Sequence, residues 1–318
     1  MTEDYGKTRS IIRCFTLQSS PGLESIVLKS DFSHISCHST FVFLPKFLIM
    51  RIILVLFILS SFLSAAQDSY HRKGEMYIYW GWNRGAYTKS DIRFHGNNYD
   101  FTLDKVIAKD RQSPFDPRLY FNPAKMTIPQ YNLRIGVFIN DKYDISFGAD
   151  HMKYVMRNYQ DVTINGYIEN SQTPYDGTYN NDTINLTPDF LLFEHTDGLN
   201  YENIEIRRSD ILFARDKFRI ETRVGAGIGF LLPRTNTTLL NNQRYDEFHL
   251  AGYGMGIMGG IHLSFFKHFF IQFEGKGGFI HMPDIRTTMY KSDKASQHFF
   301  FAQVNGVFGA NFNLTKAK

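Results

Sequence analysis

Cysteine is nearly missing from this chain of 318 residues: there are two, Cys14 and Cys37, and both precede residue 50. The remainder can have no disulfide framework, no thiolate metal site and no cysteine nucleophile. Charge of one sign is lacking as well. The 35 Lys and Arg against 31 Asp and Glu leave a formal +4, too little to argue for a nucleic-acid surface. No His, Cys and Asp cluster has metal-ligand spacing, and no glycine-rich phosphate loop leads from a strand into a helix, so no cofactor and no metal are expected. Outside one stretch before residue 67, no run reaches the 18 or more apolar residues of a spanning helix.

That stretch has the parts of an export signal. Met50 and Arg51 open it, the apolar run from Ile52 to Leu59 follows, and Ser64-Ala65-Ala66 closes it with small residues at minus three and minus one. Cleavage there puts the mature start at Gln67. Residues 1–49 show no periodicity and read as an upstream segment that is untranslated or disordered. Residues 50–66 read as the signal, and 67–318 as one exported domain. A signal-anchor over 41–63 is the rival, but Lys46 and Arg51 interrupt it, and charge at such depth is costly.

What is abundant is aromatic and small: 30 Phe, 18 Tyr and 24 Gly. These residues alternate with polar ones. From Ala302 the even positions run Ala302, Val304, Gly306, Phe308, Ala310, Phe312, while the odd ones include Gln303, Asn305, Gly309 and Asn311. Residues 217–232 set Phe218, Ile220, Val224, Ile228 and Phe230 against Arg219, Glu221, Arg223, Gly225, Gly227 and Gly229. Similar alternation marks 75–83, 130–139, 143–150, 249–265 and 268–280, with a weaker case near 199–212. Period two over such lengths is strand, because a helix would scatter the groups around its circumference. The total is about eight strands. Short polar turns at 140–142, 214–217 and 267–268 alternate with long connections at 88–128, 157–198, 233–248 and 284–297.

A soluble sandwich or lipocalin-like barrel alternates in the same way, with its oily face inside. Three features favour the opposite arrangement. The polar face carries ionised residues beside glycine runs, which suits a narrow lumen. The apolar face begins or ends in aromatics such as Trp80, Trp82, Tyr143, Phe218, Phe269, Phe299 and Phe312, as an interfacial girdle does. The export signal is the third. Together with the final strand ending at Phe312-Asn313-Leu314, they make residues 74–314 similar to small Gram-negative outer-membrane barrels of the OmpA/OmpX type. The expected fold is all-β: an antiparallel up-and-down transmembrane β-barrel of about eight strands with long extracellular loops. The resemblance implies outer-membrane localisation, insertion by the barrel-assembly machinery, and contact with outer-membrane lipid and lipopolysaccharide. It leaves a structural or surface-interaction role, a lipid-modifying enzyme and a narrow channel as alternatives.

An eight-stranded barrel is just wide enough for its inward side chains to fill. Arg134, Arg219, Glu221, Arg223, Glu274 and Lys276 are expected there as a lumen charge network. The best catalytic candidates are His195 and Asp197, which share a face if the strand is regular, so that the carboxylate could orient the imidazole as a general base. Lipid A deacylases, barrels of this kind, place a serine two residues after the histidine. Asp197 stands there instead, which weighs against an enzyme. Asp150 and His151 are adjacent and point to opposite faces. His262 is expected to pack inside.

Overall fold

The computed structural model describes residues 71–313 except Pro123 and Met126. The export signal, both cysteines and residues 1–49 lie outside the described residues. The described part is all-β and antiparallel, with fourteen strands and one four-residue helix. The count exceeds the expected eight because the long connections contain strands of their own.

Eight strands pair in succession: β1 (Glu75–Tyr87), β5 (Tyr131–Phe138), β6 (Tyr143–Met156), β9 (Leu191–Arg215), β10 (Phe218–Leu231), β12 (Gly252–Phe265), β13 (Phe269–Arg286) and β14 (Lys294–Asn313). β14 also pairs with β1 from Glu75↔Asn313 to Tyr87↔Phe301, so the order of pairing returns to its start. Residues 139–142, 216–217 and 266–268 make tight links at one end, where Glu75 and Asn313 also lie. The long connections leave from the other end.

The six additional strands belong to those connections. β2 (Ser90–His95) continues the line of β1 along β14, and β3 (Tyr99–Val106) returns beside it. β7 (Asp161–Ile168) pairs with β3, and the hairpin partner β8 (Gly177–Asn185) ends the sheet. β4 (Ala108–Lys109) and β11 (Asn236–Leu239) edge β6 and β9. The apolar content of 88–106 is thereby used to extend the sheet. Strands also run further than the alternation suggested: β9 starts at Leu191, not near 199, and β13 extends to Arg286.

The polarity of the two faces inverts along single strands. On β14 the inward positions at the tight-turn end are Gln303, Asn305 and Asn311, and toward the long connections they become Ala295, Phe299 and Phe301. Its outward positions do the reverse, with Val304, Phe308 and Phe312 giving way beyond Phe300 to His298 and Ser296. β6 changes between Asp150 and Met152, β9 between Asn203 and Tyr201, and β13 between Lys276 and Ile280. The interior is therefore a polar chamber beneath an ordinary apolar core, which contains Phe94, Phe101, Met152, Tyr154, Phe193, Met282 and Phe299. Inward glycines leave the chamber its room. A Cβ on Gly309 would strike the Ile78 carbonyl and the Phe270 ring, and one on Gly148 would strike the Arg134 guanidinium.

Candidate functional site

The polar chamber holds six buried cations, Arg72, Arg134, Arg207, Arg219, Arg223 and Lys276, and six buried anions, Glu75, Asp144, Asp150, Glu205, Glu221 and Glu274. Strand alternation puts all but Arg72 there: each of the others sits on an inward position of its strand, as Glu205 does between the outward Ile204 and Ile206. The equality of the two counts matters, since an unpaired ion away from water is expensive.

The charges form two tiers. In the tier nearer the apolar core, Glu205 is the hub, 3.0 Å from Arg134, 2.6 Å from Arg207 and 2.7 Å from Lys276. Lys276 also bonds Asp150, and Arg207 reaches Glu274 at 3.4 Å. The Tyr79 hydroxyl accepts from Arg134 at 3.1 Å and Arg207 at 2.9 Å, while Gln272 and Asn305 donate to Glu274 at 2.6 and 2.8 Å. In the tier by the tight turns, Glu221 meets Arg72 at 2.9 Å and Arg219 at 3.1 Å, and Tyr77 donates to Asp144 at 2.7 Å. Arg223 takes a different partner set: Gln272 at 3.3 Å and the faces of Tyr77, Phe138 and Phe270 between 5.2 and 5.8 Å. His262, fully buried, contacts Gln272 Oε1 at 3.0 Å and Ser264 Oγ at 2.9 Å.

Of the six lumen charges singled out in the sequence, only Arg219 and Glu221 meet each other. Arg134, Glu274 and Lys276 pair with residues that reasoning from sequence left out, namely Glu205, Arg207 and Asp150. Arg72, which completes the lower tier, precedes the first strand. The alternation already placed Glu205, Arg207 and Asp150 on the polar face, so the signal was present. Cross-barrel partners are set by register, which a single sequence does not print.

His195 and Asp197 are separated. The β6–β9 ladder pairs Met152 with Leu199 and then Tyr154 with His195, so three residues of β9 stand opposite Lys153 alone. Gly198, at φ +128°, makes the irregularity, in a conformation side-chain-bearing residues rarely adopt. The alternation is broken there, and the two side chains diverge. His195 is fully buried against Thr235 Oγ1 at 2.9 Å and Gln297 Nε2 at 3.2 Å, whereas Asp197 is exposed and pairs with Arg234 at 3.3 Å. The expected dyad is corrected on this geometry. Asp150 and His151 also face apart: Asp150 joins the chamber, and His151 bonds Asn200 at 2.8 Å. Among the described residues no group of three metal-ligating side chains forms a site.

At the opposite extreme, a cavity of about 410 Å³ lies between residues 242–247 and 288–293, with Tyr245, Asp246, Glu247 and Tyr290 in its walls. It belongs to the outer connections, and none of its lining residues is among the twelve charges of the polar chamber.

No protein-family model matches the sequence, and no curated protein matches it. Among solved structures the chain is similar to the outer membrane protein OprG from Pseudomonas aeruginosa, with 11% identity over 76% of this chain and 98% of that one and a TM-score of 0.34. It is similar to the outer membrane protein AlkL in lipid bilayers, with 10% identity over 80% and 97% and a TM-score of 0.38. It is also similar to the outer membrane protease OmpT from Escherichia coli, with 9% identity over 75% and 96% and a TM-score of 0.32.

Two outcomes follow from this geometry. Glu205→Gln keeps the volume but leaves Arg134, Arg207 and Lys276 short of one charge, and should destabilise the fold by about 3–5 kcal/mol. Urea unfolding of the protein in detergent measures this, and an unchanged midpoint contradicts it. Burial pushes the His195 imidazole down from 6.5 to about 3. Between those values the unfolded chain binds a proton that the folded chain refuses, so stability falls as pH falls through that window. The protection factors of the amides in residues 190–199, taken relative to the intrinsic exchange rate at each pH, should fall from pH 6.5 toward 4, and His195→Gln should flatten that dependence. An identical slope in the variant counts against the assignment.

Proposed function

We propose that this chain is an integral outer-membrane β-barrel protein with an occluded lumen, acting as a structural or surface-interaction protein through its outer loops. Eight strands, β1, β5, β6, β9, β10, β12, β13 and β14, close the barrel and cross the bilayer. The observation that carries the reading is the exchange of faces. Ile257 and Ile228 are 70% and 69% exposed on the outside, while Arg219 and Glu274 are 8% and 5% exposed within. In water this costs twice, once for bare hydrocarbon and once for sequestered charge. In a bilayer the first cost vanishes, because lipid covers the outer face, and backbone groups are satisfied between strands.

Dimensions support it. Phe300 to Phe312 spans about 40 Å at about 3.3 Å per residue, and a tilt of about 40° projects this to about 30 Å, close to the apolar band of such barrels. The tight turns then lie on the periplasmic side, with both ends of the described chain, and the long connections face outward. Processing at Gln67, insertion by the barrel-assembly machinery and contact with lipopolysaccharide belong to the same proposal.

The lumen argues against conduction. An ion entering from outside would meet the apolar core and then a chamber whose buried cations and anions are equal in number, so a surface role is favoured over a channel. The fully buried His195, parted from Asp197, favours no lipid hydrolase at that position. The cavity beside Tyr245 and Tyr290 is where the loops offer a concave face to an external ligand.

The membrane fraction of an expressing cell should retain the protein until detergent is added, and the purified protein should give flat current traces in planar bilayers. A monodisperse protein in detergent-free buffer overturns the membrane assignment. Stepwise currents overturn the occluded lumen.

A further inference from the structure

The outer surface of β13 and β14 carries two histidines directly opposite each other. His281 pairs with His298 in the ladder, one outward step beyond the pair Phe279 and Phe300. Both imidazoles point outward because their chain neighbours point in: Ile280, Met282, Gln297 and Phe299 are all 2% exposed or less. His298 is exposed and His281 half-buried. Directly opposed residues of an antiparallel pair have Cβ atoms about 4.5–5.5 Å apart, so the register by itself brings the two rings together.

The surroundings hold these rings from the sides and leave their nitrogens free. The Tyr253 ring flanks His281 at 5.3 Å, and the Phe279 ring lies 6.0 Å from His298 and 5.2 Å from Phe300. Neither imidazole makes a hydrogen bond or an ion pair with another described residue. Most other described histidines are engaged. His151, His195 and His262 are hydrogen-bonded, and His71, His95 and His249 each sit beside a carboxylate. Arg93, opposite Ser296 on the neighbouring strand, is in an ion pair with Asp100 at 2.5 Å and sets no lone positive charge beside the two rings.

The spacing suits a shared ion. The ring centroids are 6.2 Å apart, with 47° between the planes. With metal–nitrogen bonds of about 2.0–2.1 Å and a ring nitrogen about 1.2 Å from its centroid, two imidazoles on one ion have centroids about 5.3 Å apart at a tetrahedral angle and about 6.5 Å apart at a straight one. The observed separation falls inside this span, and the broad χ2 preference of histidine lets either ring turn a nitrogen into the gap. Imidazole nitrogen suits zinc, copper and nickel, whereas calcium and magnesium take oxygen.

We propose that His281 and His298 form a two-histidine site for a divalent transition-metal ion on the outer wall, with the remaining coordination positions left to water or an exogenous ligand. The ladder keeps its register through Met282↔Gln297 and shifts before Ile285↔Ala295, so the histidines are the last outward pair of its regular part. An ion shared there ties the two strands together next to the irregularity. The site needs the two strands and not a bilayer, so it stands apart from the outer-membrane reading.

The test is titration of the protein, purified in detergent, with Cu²⁺ and with Zn²⁺. The first equivalent of copper should give an electron paramagnetic resonance spectrum split by two equatorial nitrogens. His281→Asn and His298→Asn, both on the outer face and outside the charge network, should each reduce the two nitrogens to one. Each should also weaken Zn²⁺ binding, measured by isothermal titration calorimetry, by at least the roughly 10- to 100-fold that follows loss of a ligand's supporting partner. His268→Asn, at an exposed histidine in the tight turn between β12 and β13, should change neither readout. Zn²⁺ should raise the urea midpoint of the native protein, and Ca²⁺ should leave it unchanged.

A one-nitrogen spectrum in the native protein overturns the site, as does a two-nitrogen spectrum that survives either substitution. Equal Zn²⁺ affinity in the native protein and both variants overturns it as well. A Ca²⁺ response equal to that of Zn²⁺ overturns the assignment to a transition-metal ion.

Discussion

Charge neutrality inside a space without bulk water is the constraint on which this structure depends. Six buried cations and six buried anions share this space, all but Arg72 on inward positions of the ring strands, and none could be tolerated there alone. Such pairs contribute little net stability, because desolvation offsets most of their attraction, but they penalise any register that separates them. Glu205 with its three cations ties β5, β9 and β13 together across the chamber. A slip of one residue in any of those strands would turn charge toward the outer face and isoleucine into the chamber. The pairing therefore specifies the barrel more than it strengthens it.

The same strands obey a second rule toward the long connections. Past Phe300, Tyr201 and Ile280 the inside becomes hydrocarbon and the outside polar, as in a protein surrounded by water. On the proposed membrane reading, one continuous strand passes through two solvents and the switch of its faces marks the boundary. The apolar core that results braces the outer sheet of β2, β3, β7 and β8, which the ring alone would leave unsupported. It also covers the polar chamber at the end of the long connections, the feature on which the proposed occlusion rests.

Much of this was legible in the sequence, and the failures have physical causes. The alternation of Phe218 to Phe230 and of Ala302 to Phe312 gives strands, faces and turn asymmetry directly, because the period is short and the face contrast is strong. The outer strands were harder to see. In β2 and β3 the apolar residues Ile92, Phe94, Phe101 and Leu103 alternate too, but over few residues and between turns, so they resemble loop. Glu205 and Arg207 lay on the correct face and were left out of the network because their strand is weakly apolar. The His195 and Asp197 pairing failed at Gly198, where a local irregularity of three residues resets the alternation. Irregularities of this kind depend on the partner strand, and periodicity carries no trace of them.

The most direct test of the account is a nitroxide scan along β14, made simple because residues 71–313 contain no cysteine. Spin labels at successive single cysteines from 296 to 312, in bilayers, are exposed to oxygen and to a water-soluble nickel chelate. The account predicts oxygen contact at even positions from 300 to 312, loss of contact with both reagents at the odd ones, and chelate contact at 296 and 298. Even positions that are shielded from both reagents, or open to the chelate throughout, would contradict it.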